Sequence, residues 1–193
     1  MAYQAQDFTH LLGTEGFSNQ LLTNHFTLYQ GYVANTNKLA EILLGMLNEG
    51  KMGTPDFSEL KRRFGWEFNG MRLHELYFGN MAKAPKPLDQ HSVLAKKITA
   101  QFGSLENWEK GFKAVGSMRG IGWVILAHDP LGDRLFNVWI NEHDGGHLAG
   151  TTPLLVMDVF EHAFMLDYGL KRGDYINAFF KALNWNAVAK RMK

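Results

Sequence analysis

The residues of this chain with the clearest potential for chemistry are Asp158 and His162, a carboxylate and an imidazole four positions apart. An apolar run at 153–157 precedes them, and a second run at 163–166 follows. Because burial of an unpaired carboxylate is costly, a carboxylate in such surroundings is normally paired or bound to a metal. An Asp-x-x-x-His spacing alone also suits a core hydrogen bond or a solvated helix face. A metal site would therefore need ligands from elsewhere in the chain.

Two further histidines lie on apolar stripes with helical spacing. The first stripe, in a helix predicted over 17–47, consists of Leu21, His25, Leu28 and Tyr32. The second, in a helix predicted over 57–81 with a possible interruption near Gly65, consists of Met71, His74, Phe78 and Met81. Either histidine alone suits a hydrogen bond in the core. Two neighbouring helices that each direct one imidazole inward can instead supply two metal ligands.

Three imidazoles and one carboxylate would form a nitrogen/oxygen site suited to iron, manganese or zinc. The chain has no cysteine, which excludes disulfides, thiolate metal sites and thiol nucleophiles and fits a reducing compartment. It lacks the paired Glu-x-x-His motifs of di-iron bundles and the His-Glu-x-x-His motif of zinc proteases. Spacing alone leaves open an oxygenase site of two histidines and one carboxylate.

The composition is that of an ordinary globular protein, and 193 residues allow one large domain or two small ones. A net charge of +1 gives no indication of nucleic acid or an anionic membrane as a partner. No apolar run approaches the roughly 20 residues that span a bilayer, and the first residues lack the pattern of a signal peptide. We therefore expect a cytoplasmic protein.

The elements that must position these residues change type along the chain. Helices are predicted over 92–102 and 104–115, followed by a β-hairpin of 123–126 and 135–140 around a turn at 129–133. A third strand at 153–157 ends at Asp158, and helices follow. The proline-containing stretch 84–87 is the best candidate linker. The layout predicts an α+β fold, divided into a helical N-terminal domain at 1–84 and a three-stranded C-terminal domain at 85–193.

A family resemblance is carried by the segment from Asp158 to Tyr168, which reads Asp-Val-Phe-Glu-His-Ala-Phe-Met-Leu-Asp-Tyr. It resembles the Asp-x-Trp-Glu-His-Ala-Tyr signature of the iron/manganese superoxide dismutases. Further segments similar to that family are Gly-Ile-Gly-Trp at 120–123, Thr-Thr-Pro-Leu-Leu at 151–155, Asn-Trp at 184–185 and the stretch 68–81. The similarity covers nearly the whole chain and is weakest over its first twenty residues.

The resemblance implies a mononuclear centre with one iron or manganese ion per subunit, held by His25, His74, Asp158, His162 and a solvent molecule. The implied activity is disproportionation of superoxide to dioxygen and hydrogen peroxide. The implied fold is an N-terminal α-helical hairpin packed on a C-terminal α/β domain with a three-stranded antiparallel sheet. Family members are homo-oligomers, dimers or tetramers. Glu161 is therefore expected at the subunit interface, where it would reach the ligand histidine of the neighbouring subunit.

The first helix departs from the family pattern, in which the tyrosine follows the ligand by eight residues. Here Tyr32 follows His25 by seven. Either one residue has been lost and His25 is the ligand, or the ungapped position, Asn24, takes its place. Helical periodicity favours His25, because seven steps of about 100° bring Tyr32 back to the same face.

Two polar groups of the family are also missing together. A second histidine in the first helix is replaced by Leu28 or Tyr29, and its usual tyrosine partner is Phe164 here. Since neither partner remains, no buried polar group is left orphaned by the change. Together with Glu161, we expect Trp123, Tyr77 and Phe164 to surround the metal ligands.

The family also has a glutamine that bonds to the metal-bound solvent, and one of its usual positions, four residues before His74, is Gly70 here. The resemblance points instead to His143, with Tyr32 as the gate and both residues as proton relays. Histidine at this position favours iron, or tolerance of both metals. Whether His147 has a functional or only a structural role is left open.

A local basic rim that steers superoxide would come from Lys190 and Arg191, by resemblance, although both also suit a solvated helix. A non-catalytic metal-binding protein of the same fold is the alternative function, because the first helix is altered. A different metal-dependent oxidoreductase would need an open coordination position and a larger substrate pocket.

Overall fold

The structure, a computed structural model, describes residues 2–192. Its helices are α1 (Asn19–Asn48), α2 (Pro55–Gly79), α3 (Val93–Phe102), α4 (Leu105–Gly116), α5 (Met165–Tyr168), α6 (Arg172–Lys181) and α7 (Trp185–Lys190). Its strands are β1 (Gly122–Asp129), β2 (Arg134–Asn141) and β3 (Thr152–Asp158). Short 3-10 turns lie at Thr9–Leu11 and Glu161–Ala163. The predicted α+β class, with N-terminal helices and a three-stranded antiparallel sheet, is confirmed.

The two long helices form an antiparallel hairpin whose ends are set by local capping. The Ser18 hydroxyl accepts a hydrogen bond from the Leu21 amide at the start of α1, and the Thr54 hydroxyl accepts from the Phe57 amide at the start of α2. Pro55 occupies the first turn, where its missing N–H costs nothing. Helix α2 continues without interruption through Gly65, so the possible break there is absent.

The sheet has the strand order β2-β1-β3, and both pairings are antiparallel. The central strand is β1, and its second residue, Trp123, lies opposite Ile140 of β2 on one side and Asp158 of β3 on the other. Gly122 precedes it with a φ of 142°, in contact with the backbone of Ile140, so a side chain at this position would collide. This glycine allows β1 to enter the sheet with Trp123 directed towards α2.

The helical hairpin and the sheet share one hydrophobic core. The C-terminal end of α2 is fixed to the sheet because the side-chain amide of Asn80 donates to the Val156 carbonyl over 2.6 Å. The Asn80 carbonyl in turn accepts from the Asn184 amide, also over 2.6 Å. The domain boundary between 84 and 85 remains a prediction. Among residues 2–192, none of the helices combines the length and the apolar character needed to cross a membrane.

One assignment on the first helix was wrong. Leu28 was expected on the buried stripe of α1, but it is 37% exposed, whereas Tyr29 is fully buried. The buried face follows the spacing of His25, Tyr29 and Tyr32, four and then three residues apart, which fits the helical period equally well. The apolar character of Leu28 therefore led to a wrong prediction of which side of α1 faces the core.

Candidate metal centre

Four side chains from four separate elements converge at the junction of the hairpin and the sheet. They come from α1, α2, the last position of β3 and the 3-10 turn that follows it, and they are His25, His74, Asp158 and His162. We call them the histidine–aspartate cluster. One donor atom from each lies within 4.8 Å of every other. The first three residues are buried, and the side chain of His162 is 29% exposed.

The distances within the cluster are those of ligands that share one ion. The Oδ2 atom of Asp158 lies 3.2 Å from His25 Nε2, 3.6 Å from His74 Nε2 and 3.1 Å from His162 Nε2. Two ligand atoms about 2.1 Å from one metal, at angles of about 90–120°, are about 3.0–3.6 Å apart. The three distances from the carboxylate to the imidazoles therefore fit a single metal ion, and the remaining donor pairs lie within 4.8 Å.

The hydrogen bonds of the cluster leave imidazole nitrogens free to bind a cation. His74 Nδ1 donates to the Gly70 carbonyl over 2.6 Å, which fixes the proton on that nitrogen and leaves Nε2 free to bind a metal. Within residues 2–192, His74 Nε2 and both ring nitrogens of His25 are buried and find no hydrogen-bond partner. Buried polar atoms are normally satisfied, so an ion between these nitrogens and the carboxylate accounts for two of the three.

The protonation states also suit a metal. Burial lowers the pKa of His25 and lowers that of His74 well below its usual value, so both imidazoles are neutral, as metal binding requires. Burial alone would raise the pKa of Asp158, but its electrostatic and hydrogen-bonding interactions with the imidazoles of His162 and His25 lower it below its usual range. The Oδ1 atom of Asp158 accepts the Phe160 amide over 2.8 Å, which holds the carboxylate in place.

Two hydrogen-bonded polar side chains, His143 and Tyr32, lie beside the cluster, and we call them the His143–Tyr32 pair. The Trp123 indole N–H donates to His143 Nδ1 over 3.0 Å, and His143 Nε2 lies 2.8 Å from the Tyr32 hydroxyl oxygen. Burial lowers the pKa of His143 to about 4, so the ring is neutral and has one proton. Because Nδ1 accepts, that proton is on Nε2, which donates to Tyr32. The proton of the tyrosine hydroxyl is therefore free for another acceptor.

Tyr32 is held between the two helices of the hairpin. Its ring stacks on the His74 ring, with centroids 5.1 Å apart and planes at 27°. On α2 it contacts the backbone of Gly70, where a Cβ atom would stand 2.6 Å from the tyrosine Cδ1. Burial raises the pKa of Tyr32, so its hydroxyl remains protonated over the ordinary pH range.

The choice between Asn24 and His25 follows from the direction of the two side chains. Asn24 is exposed and accepts a hydrogen bond from Gln20 over 2.8 Å, whereas His25 is buried in the cluster. Helix α1 is a continuous α-helix here, so the spacing of seven residues brings His25 and Tyr32 onto one face. Geometry places His25 with the cluster, and its role as a ligand remains a proposal.

The remaining expected residues lie around the cluster or near it. Tyr77 and Phe164 are both buried, the Tyr77 ring 5.3 Å from that of His25 and the Phe164 ring stacked on Tyr175. Glu161 is exposed on the 3-10 turn beside His162. His147 donates from Nε2 to the His143 carbonyl over 2.9 Å, which is a structural contact.

Two further side chains bear on the sequence-based expectations. Of Leu28 and Tyr29, the two candidates left open for the lost helix histidine, Tyr29 faces the core, where its hydroxyl accepts from the Gln6 amide and donates to Glu75, each over 3.0 Å. Arg191 is not part of a basic rim, because its guanidinium is half-buried and donates to the carbonyls of Leu154 and Leu76. Burial lowers the pKa of Arg191 to about 10.

Sequence reasoning did not identify Trp66 and Glu142. The Trp66 ring lies 4.3 Å from the His143 ring and 5.6 Å from the Tyr32 ring, between centroids. Its indole N–H donates to Glu142 Oε2 over 3.0 Å. The signal was the position of Trp66 one helical turn before Gly70, on the side of α2 that faces Tyr32.

The chain is similar to proteins of known activity. Residues 90–191 match a family model described as iron/manganese superoxide dismutases, C-terminal domain. A manganese superoxide dismutase of Haloferax volcanii is 37% identical over 90% of this chain and 86% of its own length. An iron superoxide dismutase of Aquifex aeolicus is 35% identical over 98% of this chain and 91% of its own length.

Proposed function

Because this chain belongs to the iron/manganese superoxide dismutase family, we propose that its histidine–aspartate cluster is the centre at which it disproportionates superoxide. The activity combines two superoxide anions and two protons into dioxygen and hydrogen peroxide, which is an antioxidant reaction. A bound iron or manganese ion, one per subunit, supplies the one-electron redox chemistry. The observation that carries the proposal is the convergence of four potential ligand atoms, of which the imidazole nitrogens of His25 and His74 are buried with no hydrogen-bond partner among the described residues.

The four residues of the cluster have distinct tasks in this proposal. His25, His74 and His162 act as neutral ligands, and Asp158 contributes the one negative charge. An anionic ligand favours the oxidised state of a metal, so Asp158 helps to set the reduction potential between those of the two superoxide couples. The His74–Gly70 hydrogen bond keeps one imidazole in the tautomer that can bind.

Protons reach the reaction through His143 and Tyr32. The neutral His143 ring donates to the tyrosine oxygen, and this leaves the tyrosine hydroxyl proton available to solvent or to reduced substrate at the cluster. The high pKa of Tyr32 keeps that proton in place until an acceptor of sufficient basicity is formed. The pair is thus a source of protons that does not titrate in the ordinary pH range.

Iron is the metal we propose. Support comes from His143 in place of the usual glutamine, which the family resemblance associates with iron or with tolerance of both metals. Relatives with each metal in their names are similarly related to this chain, so identity alone does not favour one. Metal analysis of the protein purified from cells supplied equally with iron and manganese tests this choice; a preparation that contains only manganese would contradict it.

We also propose that the chain functions as a homodimer, with Glu161 at the interface. Glu161 is exposed beside the partly exposed His162, and a carboxylate from a second copy could accept a hydrogen bond from an imidazole there. A tetramer is the other outcome. Sedimentation velocity of the holoenzyme distinguishes monomer, dimer and tetramer.

A cytoplasmic location is proposed on the composition alone. The chain contains no cysteine, and a reducing compartment is compatible with that. Cell fractionation followed by immunodetection provides the test, and recovery outside the cytoplasmic fraction would contradict it.

The decisive experiment compares wild type with His25→Ala and, as the matched control, Asn24→Ala on the next position of the same helix. We expect stoichiometric iron or manganese and fast superoxide removal in wild type and Asn24→Ala, and loss of both in His25→Ala. Metal binding without activity in wild type would support a non-catalytic metal-binding protein instead. Full metal content in His25→Ala would show that another residue is the first ligand.

A further inference from the structure

The His143–Tyr32 pair is covered by one aromatic side chain from α2. The Trp66 ring meets the His143 ring edge to face, with centroids 4.3 Å apart and planes at 72°. The same indole lies 5.6 Å from the Tyr32 ring. A T-shaped contact at this distance is favourable, and it opposes rotation of the imidazole about its Cβ–Cγ bond.

The same indole also holds the backbone that positions His143. Its N–H donates to the carboxylate of Glu142, the residue immediately before His143. Glu142 has a φ of 51°, which is uncommon for a residue with a side chain and persists only where surrounding contacts maintain it. Its amide donates to the Ile121 carbonyl over 3.2 Å, and the Trp66 bond fixes its side chain to α2.

The turn that contains His143 is otherwise held mainly by short-range contacts. Asn141 and Gly145 exchange two backbone hydrogen bonds, of 2.7 and 3.1 Å, across the turn. His147 bonds back to the His143 carbonyl over 2.9 Å. Neither contact joins the turn to α2. The Trp123 indole holds His143 from β1, and the Trp66–Glu142 hydrogen bond connects the turn to α2.

The position of the indole is itself supported from the solvent side. The guanidinium of Arg63 lies 3.9 Å from the centroid of the Trp66 ring, and its NH2 group lies 2.6 Å from the carboxylate of the buried Glu67. Arg63 is therefore held over the indole face, where a cation–π contact is favourable. The ring is enclosed by Arg63 on one side and by the His143–Tyr32 pair on the other.

We propose that Trp66 is a positioning residue for the reaction: through its hydrogen bond to Glu142 and its contact with His143, it keeps the imidazole N–H directed at the Tyr32 oxygen. The inference rests on the proposed role of His143 and Tyr32 in proton delivery. Trp66 itself touches neither the cluster nor the substrate in this account. Trp66 affects the reaction only through the relative positions of His143 and Tyr32.

The test uses holoenzyme variants that distinguish the contribution of the Trp66 aromatic ring from that of its N–H group. Trp66→Phe keeps an aromatic contact but removes the donor, Glu142→Ala removes the acceptor, and Glu142→Gln keeps an acceptor oxygen without the charge. The matched control is Trp108→Phe, which removes an equivalent indole hydrogen bond, to Asn137, far from the cluster. Amide hydrogen exchange over 141–147 is measured together with the kcat and KM for superoxide.

We expect Trp66→Phe and Glu142→Ala each to accelerate exchange in 141–147 about tenfold and to lower kcat about tenfold with little change in KM. The double variant should be no worse than either single one, because both remove the same bond. Glu142→Gln should retain most of the wild-type behaviour. Trp108→Phe should change neither local exchange nor kcat, even if it unfolds at a lower temperature.

Wild-type exchange in Trp66→Phe would overturn the anchoring role, and faster exchange with unchanged kcat would overturn the positioning role. Failure of the proposed function is recognised separately. If Tyr32→Phe and His143→Ala retain wild-type turnover, the pair does not deliver protons, and the positioning role fails with it. The exchange data would then still decide whether Trp66 anchors the turn.

Discussion

The ring of Tyr32 lies directly against the backbone of Gly70, closer than any residue with a Cβ atom would permit. This contact explains how His143 can supply the hydrogen bond to Tyr32 from the opposite side. A side chain at position 70 would occupy the space that the tyrosine ring takes, so the polar group must come from the β2–β3 connection. Two separate segments of the chain are therefore coupled through one tyrosine.

Gly70→Ala should displace the Tyr32 ring and impair proton delivery. We expect kcat to fall at least about tenfold, and overpacking to cost about 1–3 kcal/mol of stability, while metal content is retained. Gly65→Ala, in the same helix with no atom near the added Cβ, is the matched control. It should be active and more stable by about 0.5–1 kcal/mol. Equal kinetics for the two variants would contradict this explanation.

Removal of the metal should lower the stability of the fold, because the ion binds the native cluster and not the unfolded chain. We expect a lower Tm for protein dialysed against a chelator, and recovery on addition of iron or manganese. Calorimetry of His25→Ala provides the comparison, since its Tm should not respond to added metal. An identical Tm for metal-free and metal-loaded wild type would show that the cluster holds no ion in solution.

Acid should destabilise the protein in part through His143. Its pKa in the fold is about 4 because of burial, against an ordinary value of 6.5. Between these values the unfolded chain binds a proton that the native state does not, so stability falls as the pH is lowered from 6.5 towards 4. Urea unfolding of wild type and His143→Gln over this range measures the difference. The variant should lose less stability; parallel curves would contradict the assignment.

Glu161→Gln should weaken subunit association if this carboxylate reaches an imidazole of a second copy. We expect the dimer dissociation constant to rise about tenfold or more, as for loss of one partner of a buried charged hydrogen bond. Glu41→Gln, at an exposed position on α1, controls for the general loss of one negative charge. Sedimentation equilibrium gives both constants, and equal values would remove Glu161 from the interface.

Much of the fold could be predicted from periodicity and caps. The helices predicted over 92–102 and 104–115 lie at Val93–Phe102 and Leu105–Gly116, each after a serine whose hydroxyl accepts a backbone amide, and all three strands lie where the β-rich runs predicted them. The inner face of α1 was predicted less well. Leu28 and Tyr29 are both compatible with an apolar stripe, and only the packed partner helix decides between them.

Some residues of the candidate site were likewise predictable from the sequence, and others were not. The resemblance and the helical period together pointed to His25, His74, Asp158 and His162, because each lies in or beside a recognisable motif. Glu142 had no such signal, and Trp66 had only its helical spacing from Gly70. Their contact joins residues that are distant along the chain, and Glu142 belongs to a turn with unusual backbone geometry. Such a contact follows from tertiary packing, which spacing within one segment does not encode.

The order in which the four cluster residues occur along the chain has a consequence for synthesis. His25 and His74 are translated early, whereas Asp158 and His162 lie in the last quarter of the sequence. A nascent chain can therefore expose its helical hairpin, with two inward imidazoles, long before a complete set of ligands exists. Closing so long a loop has a substantial entropic cost, which the sheet must offset before the ion can bind. If these four residues hold the ion as proposed, metal loading must wait until nearly the whole chain has left the ribosome.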